Sequence, residues 1–290
     1  MTKSDLRNLC VIWLAGILLS LAAAAFVYQM YDPANPAPAP VGMESPTTSW
    51  INAPATTIAS AVQRNTVWTI VVICPFLFAP IGTLLYIIVR FSKKNNPVAD
   101  QTHENLPLEV FWTVTPALVL VAMAIPAYAV LRKIDIQPSK ADVQVTVKGA
   151  QFFWNYTFEK YGVSVTDDGT GTEPVYFPVN KMIRLNGMSE QVNHAWWVPA
   201  FGIKFDVIPG RITGGWIKPT KEGFFKGQCA ELCGALHAYM WIHVKIVPER
   251  EFYQWLESKK AKWPADEEVR IKAILAGAPA QVINQLALAQ

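Results

Sequence analysis

The sequence predicts a membrane α-helical hairpin, preceded by one more apolar segment and followed by an all-β domain outside the bilayer. Three observations carry this. Apolar residues make up 52% of the 290-residue chain and charged residues only 16%, against roughly 45–50% and about 25% in soluble domains. The excess is concentrated in three runs in the first half of the chain. From residue 142 onward the pattern changes to short alternating stretches punctuated by Gly and Pro.

The three runs span residues 9–28, 66–89 and 108–131. The first two carry no charge, and the third carries one carboxylate, Glu109, near its start. At about 1.5 Å per residue each is about 30–36 Å long, enough to cross a bilayer core. Pro75, Pro80, Pro116 and Pro126 fall inside the second and third runs, which membrane helices tolerate when neighbours satisfy the freed backbone groups. Arg90, Lys93 and Lys94 put the loop between these two runs on the cytoplasmic side. Residues 29–63 hold no Lys or Arg, which puts them outside, and Lys3 and Arg7 keep the extreme N-terminus inside. Residues 1–28 read as either a signal peptide, with residues 22–25 resembling a cleavage site, or a retained transmembrane helix. Residues 29–63 form a periplasmic linker with five Pro between positions 32 and 46, and 64–133 form the hairpin. A multi-pass protein of a bacterial-type inner membrane, with its larger domain on the periplasmic side, follows.

Residues 134–248 read as the outer domain. Val143, Val145 and Val147 alternate with polar residues, as in a half-buried strand. Further strand candidates are 151–158, 175–179, 182–186, 192–198, 203–208, 213–218 and 241–247. Many short strands with such turn signals argue for a sandwich or Greek-key barrel. Pro248 opens a helix with Phe252, Trp255 and Leu256 on one face, and 249–290 reads as a helical tail. Eleven Trp, 14 Phe and 9 Tyr exclude simple disorder. A net charge of +3 without a dense basic cluster excludes nucleic-acid binding.

Chemistry is concentrated in residues 229–240, where Cys229, Cys233, His237 and Met240 crowd into twelve positions. Thiolates and thioethers are soft donors that favour copper, and imidazole suits it too. His194, ahead of Trp196, Trp197 and Pro199, is the upstream imidazole that completes the set. Two sulfurs, two imidazoles and a thioether exceed the needs of one tetrahedral ion and suit two copper ions bridged by both thiolates. A Cys229–Cys233 disulfide is the alternative in an oxidising compartment; zinc is a weaker one, because Met binds it poorly. Cys10 and Cys74, inside the apolar runs, read as small hydrophobes. His103 falls in the cytoplasmic loop. His243 alternates with Ile242 and Val244, so it faces away from their apolar side, as a solvated or a structural residue.

The C-x-E-x-C-x-x-x-H-x-x-M spacing, the upstream H-x-W-x-V-P, Asp206–Arg211 (D-x-I-P-G-R) and L-E-V-F-W-T-V-T-P at 108–116 together resemble subunit 2 of haem–copper cytochrome c oxidases. The resemblance covers about residues 66–255. It implies a cupredoxin-like domain with a binuclear CuA centre, an electron-transfer role, and a place in a proton-pumping oxidoreductase beside subunit 1 and subunit 3. It implies that Cys229 and Cys233 bridge the coppers, that His194 and His237 bind one each, that Met240 is a weak ligand, and that Glu231 ligates through its backbone carbonyl. It further implies magnesium on the Glu231 carboxylate at the interface with the catalytic subunit, and Glu109 at the entrance of a proton pathway. Arg211 reads either as a partner for haem propionates or carboxylates across that interface or as a surface residue, and Asp206 as a turn residue before Pro209.

Two positions depart from the family pattern. Phe152 replaces the Trp through which electrons enter, and Gln191 replaces an acidic residue before the first His ligand. These changes weaken the case for docking of an ordinary basic cytochrome c. They point to a tethered cytochrome c-like donor or one held in a supercomplex, with Trp154, Trp196 and Trp197 as substitute electron-input residues, the alternative for Trp196 and Trp197 being buried core aromatics. No C-x-x-C-H motif is present for a haem on this chain. The rivals are a quinol oxidase subunit, a CuA-containing nitrogen-oxide reductase and a copper-delivery protein. The first lacks the copper ligands, Glu109 and Glu231 weigh against the second, and the third would need a thioredoxin-like βαβ pattern.

Overall fold

A computed structural model describes residues 54–98, 104–136 and 140–288, together with 7–8, 11–16, 18–19 and 21–22 near the N-terminus. The proposed cleavage site from residue 23, the Pro-rich linker through 53 and His103 lie outside the described residues. The chain divides into two compact units, one centred on residues 63–131 and one on 132–290 together with the stretch before residue 63.

In the first unit the described residues between 7 and 22 are helical. Two long helices follow, α1 (Thr57–Arg90) and α2 (Leu106–Asp135). Their 34 and 30 residues correspond to about 51 and 45 Å. Leu84, Leu85, Ile88, Leu118, Leu120, Val121 and Ile125 stand exposed, and α2 has no buried residue. A helix this apolar with no covered face is built for lipid or for a partner's helices, not for water. The four predicted prolines lie within these helices. α1 begins nine residues before the second apolar run. Thr56 caps it, its hydroxyl accepting from Ala59 N and donating to Phe201 O at 2.7 Å. Residues 57–62, expected to be linker, are thus the largely buried first turns of a helix packed on the β domain.

The second unit is a sandwich of two five-stranded sheets. The first runs β3–β2–β1–β5–β8, from β1 (Val143–Ala150), β2 (Phe153–Phe158), β3 (Val163–Asp167), β5 (Ile183–Ser189) and β8 (Thr213–Ile217). The second runs β4–β10–β9–β6–β7, from β4 (Val175–Pro178), β6 (His194–Val198), β7 (Ile203–Val207), β9 (Gly223–Cys229) and β10 (Trp241–Val247). β1 pairs in parallel with β5 and β4 with β10; the other pairs are antiparallel. Val145, Val147, Trp154, Tyr156, Leu185, Trp196, Ile242 and Val244 fill the space between the sheets. β3 and β9 were absent from the sequence reading. β9 contains Gly223 and Gly227, which lower strand propensity. The tail folds as α3 (Glu249–Ser258), α4 (Glu268–Leu275) and α5 (Ala280–Leu288). α3 buries Phe252, Tyr253 and Leu256, while Arg270 of α4 ties it down through Glu249 at 3.0 Å and the Tyr253 hydroxyl at 3.1 Å.

Gly227 is a steric requirement. A Cβ there would lie 2.2 Å from Trp197 O on β6, so any side chain must push the two strands apart. Gly227→Ala is expected to destabilise the domain by about 1–3 kcal/mol or more and to weaken metal binding in parallel, read by thermal melting and metal titration.

Candidate metal centre

Sheet pairing builds the site. β6 and β9 are antiparallel with Trp196 opposite Cys229, which brings the start of β6 and the end of β9 to the same edge. His194 opens β6 and Cys229 closes β9, 35 residues apart in sequence. The chain then turns through Cys233 and a short 3-10 segment, His237–Tyr239, before Met240 leads into β10. Cys229 N donates to Met240 O at 3.0 Å and Ala230 N to Ala195 O at 3.0 Å, stitching the loop to its strands.

Within this frame the predicted donors converge. His194 Nδ1 lies 3.7 Å from Cys229 Sγ, and His237 Nδ1 lies 3.5 Å from Cys233 Sγ. The two sulfurs are 3.9 Å apart, far beyond the bond length of about 2.05 Å. Both cysteines are free, against the disulfide alternative. Met240 Sδ is 3.8 Å from Cys233 Sγ, and Glu231 O is 3.3 Å from Cys229 Sγ. His194, Cys229, Cys233 and Met240 are buried, His237 is half-buried, and the Glu231 residue is exposed. Donor atoms of His194, Cys229 and Cys233 all lie within 4.8 Å of one another.

The surroundings fit a soft metal. The His194 ring sits against Gly149, where a Cβ would come within 2.9 Å of it, and edge-on to Trp154 at 5.9 Å. With Nδ1 turned to sulfur, His194 Nε2 is left buried without a partner among the described residues. Burial holds His194 below the ordinary imidazole range, and His237 adds to this, which favours the neutral ring. Burial pushes the Cys233 thiol up from 9.0 to about 12, with Cys229 contributing. A cation beside the buried Cys233 thiol would favour its thiolate. Gln151 adds a contact that sequence reasoning missed, its side-chain amide donating to Cys233 O.

The remaining predicted residues are placed differently. Trp154 and Trp196 are fully buried, with the Trp196 indole donating to the Tyr156 hydroxyl at 3.0 Å. Trp196 is thus the core aromatic that the sequence also allowed, and neither Trp154 nor Trp196 presents a surface to a donor protein; Trp197 is half-exposed. Asp206 lies within β7 and is not a turn residue, and Arg211 is exposed. Glu109 caps α2, its carboxylate accepting from Asn105 N at 3.1 Å while Asn105 Oδ1 accepts from Leu108 N at 3.2 Å. His243 does face outward from the core, as its alternation predicts, and of the two environments left open it has the structural one, buried against Asp167. The turn after β3 folds over it, and no local pattern announces that.

Two family profiles match the chain: cytochrome c oxidase subunit II, transmembrane domain, over residues 46–130, and its periplasmic domain over 170–247. The cytochrome c oxidase subunit 2 of Cereibacter sphaeroides is 32% identical over 283 residues, spanning 87% of this chain and 90% of that protein. The chain belongs to the cytochrome c oxidase subunit II family. A probable cytochrome c oxidase subunit 2 of Rickettsia bellii is 31% identical, spanning 61% of this chain and 71% of that protein. The solved periplasmic domain of subunit II of cytochrome oxidase from Bradyrhizobium japonicum is 36% identical, spanning 43% of this chain and 97% of that domain, with a TM-score of 0.41. Family membership makes the chain a membrane protein with a periplasmic domain, here a β-sandwich, and part of an oxidoreductase complex associated with a catalytic subunit. The periplasmic domain of the family implies CuA copper, and the His/Cys/Cys cluster fits it.

The raised Cys233 thiol sets the sign of a pH effect. The folded, metal-free site disfavours the thiolate, so stability present below pH 9.0 is lost as pH rises toward about 12. At neutral pH a metal must displace thiol protons, so copper uptake releases protons and weakens as pH falls. Copper titration in weak buffer, following the released protons, checks this; uptake without release would argue against thiolate ligation.

Proposed function

We propose that this chain is the electron-transfer subunit of a respiratory haem–copper terminal oxidase, taking electrons from a cytochrome c-like donor and delivering them to haem in the catalytic subunit. One observation carries the reading: two imidazoles present Nδ1 to two unbonded thiols, one to each, with a thioether behind. Cys229 and Cys233 would hold a copper pair between them, with His194, His237, Met240 and the Glu231 carbonyl as the remaining ligands. When bound, the copper supplies a one-electron relay. The chain's own part is to keep the donors fixed and dry, so that little rearranges when charge arrives. The exposed Glu231 carboxylate would hold magnesium against the catalytic subunit, and Glu109, which already caps α2, would face a proton pathway there. The proton-pumping role, subunit 3 as a neighbour, and multi-pass insertion in a bacterial inner membrane belong to the same proposal. The two lipid-type helices and the cation-rich loop between them support that insertion.

The full chain in detergent is expected to bind two coppers with intense thiolate-to-copper visible absorption. Cys229→Ser or Cys233→Ser is expected to abolish that absorption. Met240→Leu, close to isosteric, is expected to retain copper but shift its spectrum and potential. One copper per chain, or a reversible disulfide with no copper, would favour a delivery role.

The donor is proposed to be tethered or held in a supercomplex, because Phe152 and Gln191 occupy positions that an ordinary docking site fills differently. Turnover of the whole oxidase with free basic cytochrome c is expected to be slow and only weakly dependent on salt. Fast turnover that collapses as ionic strength rises would overturn that part.

A further inference from the structure

We propose that Asp167, paired with His243, is a positioning residue that fixes the Met240 side of the metal centre through the turn after β3; the inference rests on the copper reading above. Neither residue offers the metal an atom. Both are buried, at 1% and 4% exposure, in a domain whose other carboxylates lie mostly toward water. Burying a carboxylate is costly unless every oxygen is engaged, and this one is fully engaged. Oδ2 accepts from the backbone N–H of His243 at 2.6 Å. Oδ1 faces His243 Nδ1 at 3.1 Å and accepts from Gly169 N at 3.1 Å. A single carboxylate thus joins the end of β3, the turn that follows and the third residue of β10.

The turn lies directly on the ligand segment. Gly169 has φ +83°, and a Cβ on it would come within 2.7 Å of Tyr239 O and 3.5 Å of Trp241 N. Tyr239 and Trp241 flank Met240 on either side. Gly171 lies against the His243 ring, where a Cβ would meet Cδ2 and Nε2 at 3.2 Å, and Phe224 stacks on the same ring at 5.8 Å. On the inner side Met240 O accepts from Cys229 N at 3.0 Å. The backbone of residues 239–241 is therefore gripped between β9 and the turn, and Asp167 holds the turn shut. Met240 is the weak ligand, and the length of a weak axial bond tunes a copper site. What fixes the Met240 backbone fixes that length.

The test uses the full chain loaded with copper in detergent, read by visible and electron paramagnetic resonance spectra, by chelator competition and by melting of the metal-free form. Asp167→Ala is expected to shift the copper spectra and to lower copper affinity by about 10-fold or more. Asp167→Asn, which keeps one acceptor oxygen where the carboxylate uses both, is expected to give spectra and affinity between those of the native chain and Asp167→Ala. Gly169→Ala leaves the carboxylate in place but drives a methyl into Tyr239 O, and is expected to shift the spectra as well; it decides the matter if Asp167→Ala does not fold. Lys259→Ala, which removes the exposed Lys259–Glu173 ion pair farther along the same connection, is expected to change nothing. Native spectra and affinity in folded Asp167→Ala and Gly169→Ala would overturn the proposal. Failure of the unsubstituted chain to show thiolate–copper absorption would instead strike at the copper reading itself.

Discussion

Two thiols must be kept close and dry without joining, and the sandwich is arranged around meeting that demand. The pairing of β6 with β9 sets His194 beside Cys229, and the hydrogen bonds from Cys229 N to Met240 O and from Ala230 N to Ala195 O fix the loop that carries the other donors. The sulfurs are held 3.9 Å apart by backbone, not by a bond between them. Gly149 and Trp154, from the opposite sheet, close over the His194 ring, so both sheets contribute to one wall. Loss of the β6–β9 contact would separate the first imidazole from the first thiol, and no other element could replace it.

Much of this was legible in the chain itself. The hairpin could be read from length and lack of charge, because a bilayer imposes a minimum span on any helix that crosses it. The 229–240 loop could be read because four soft donors at tight spacing have few other uses. His194 was harder; nothing local ties it to Cys229, and its assignment leaned on the wider motif. What stayed hidden depends on packing at a distance. β9 was missed because Gly223 and Gly227 lower local propensity, yet Gly227 is there to let β6 approach. The burial of Trp154 follows from which sheet faces which. His243 was assigned the right face with a solvated or a structural setting left open, since only the folded turn decides between them. The first turns of α1 looked like linker because Thr56 and Ala59 are small and their partners, Phe201 and Gly202, lie far along the chain.

The membrane half shows the opposite economy. Beyond the buried first turns of α1, both helices present leucine, isoleucine and valine outward, with Ala79 the one buried residue among positions 64–90 and none in α2. Their surroundings supply what the chain does not. Glu109 illustrates how a residue at a helix end can combine duties: its carboxylate completes a cap with Asn105 at the positive end of the helix dipole while remaining at the rim of an apolar segment.

The 35-residue gap between His194 and Cys229 bears on biogenesis. The two donors meet only when β6 and β9 pair, and that pairing rests on main-chain hydrogen bonds in which no ion takes part. Contacts between segments so far apart form late and slowly compared with local ones. A cell making this protein would translocate and fold the domain first and present a finished cradle to whatever delivers the metal, with both sulfurs needing protection from oxidation during the wait.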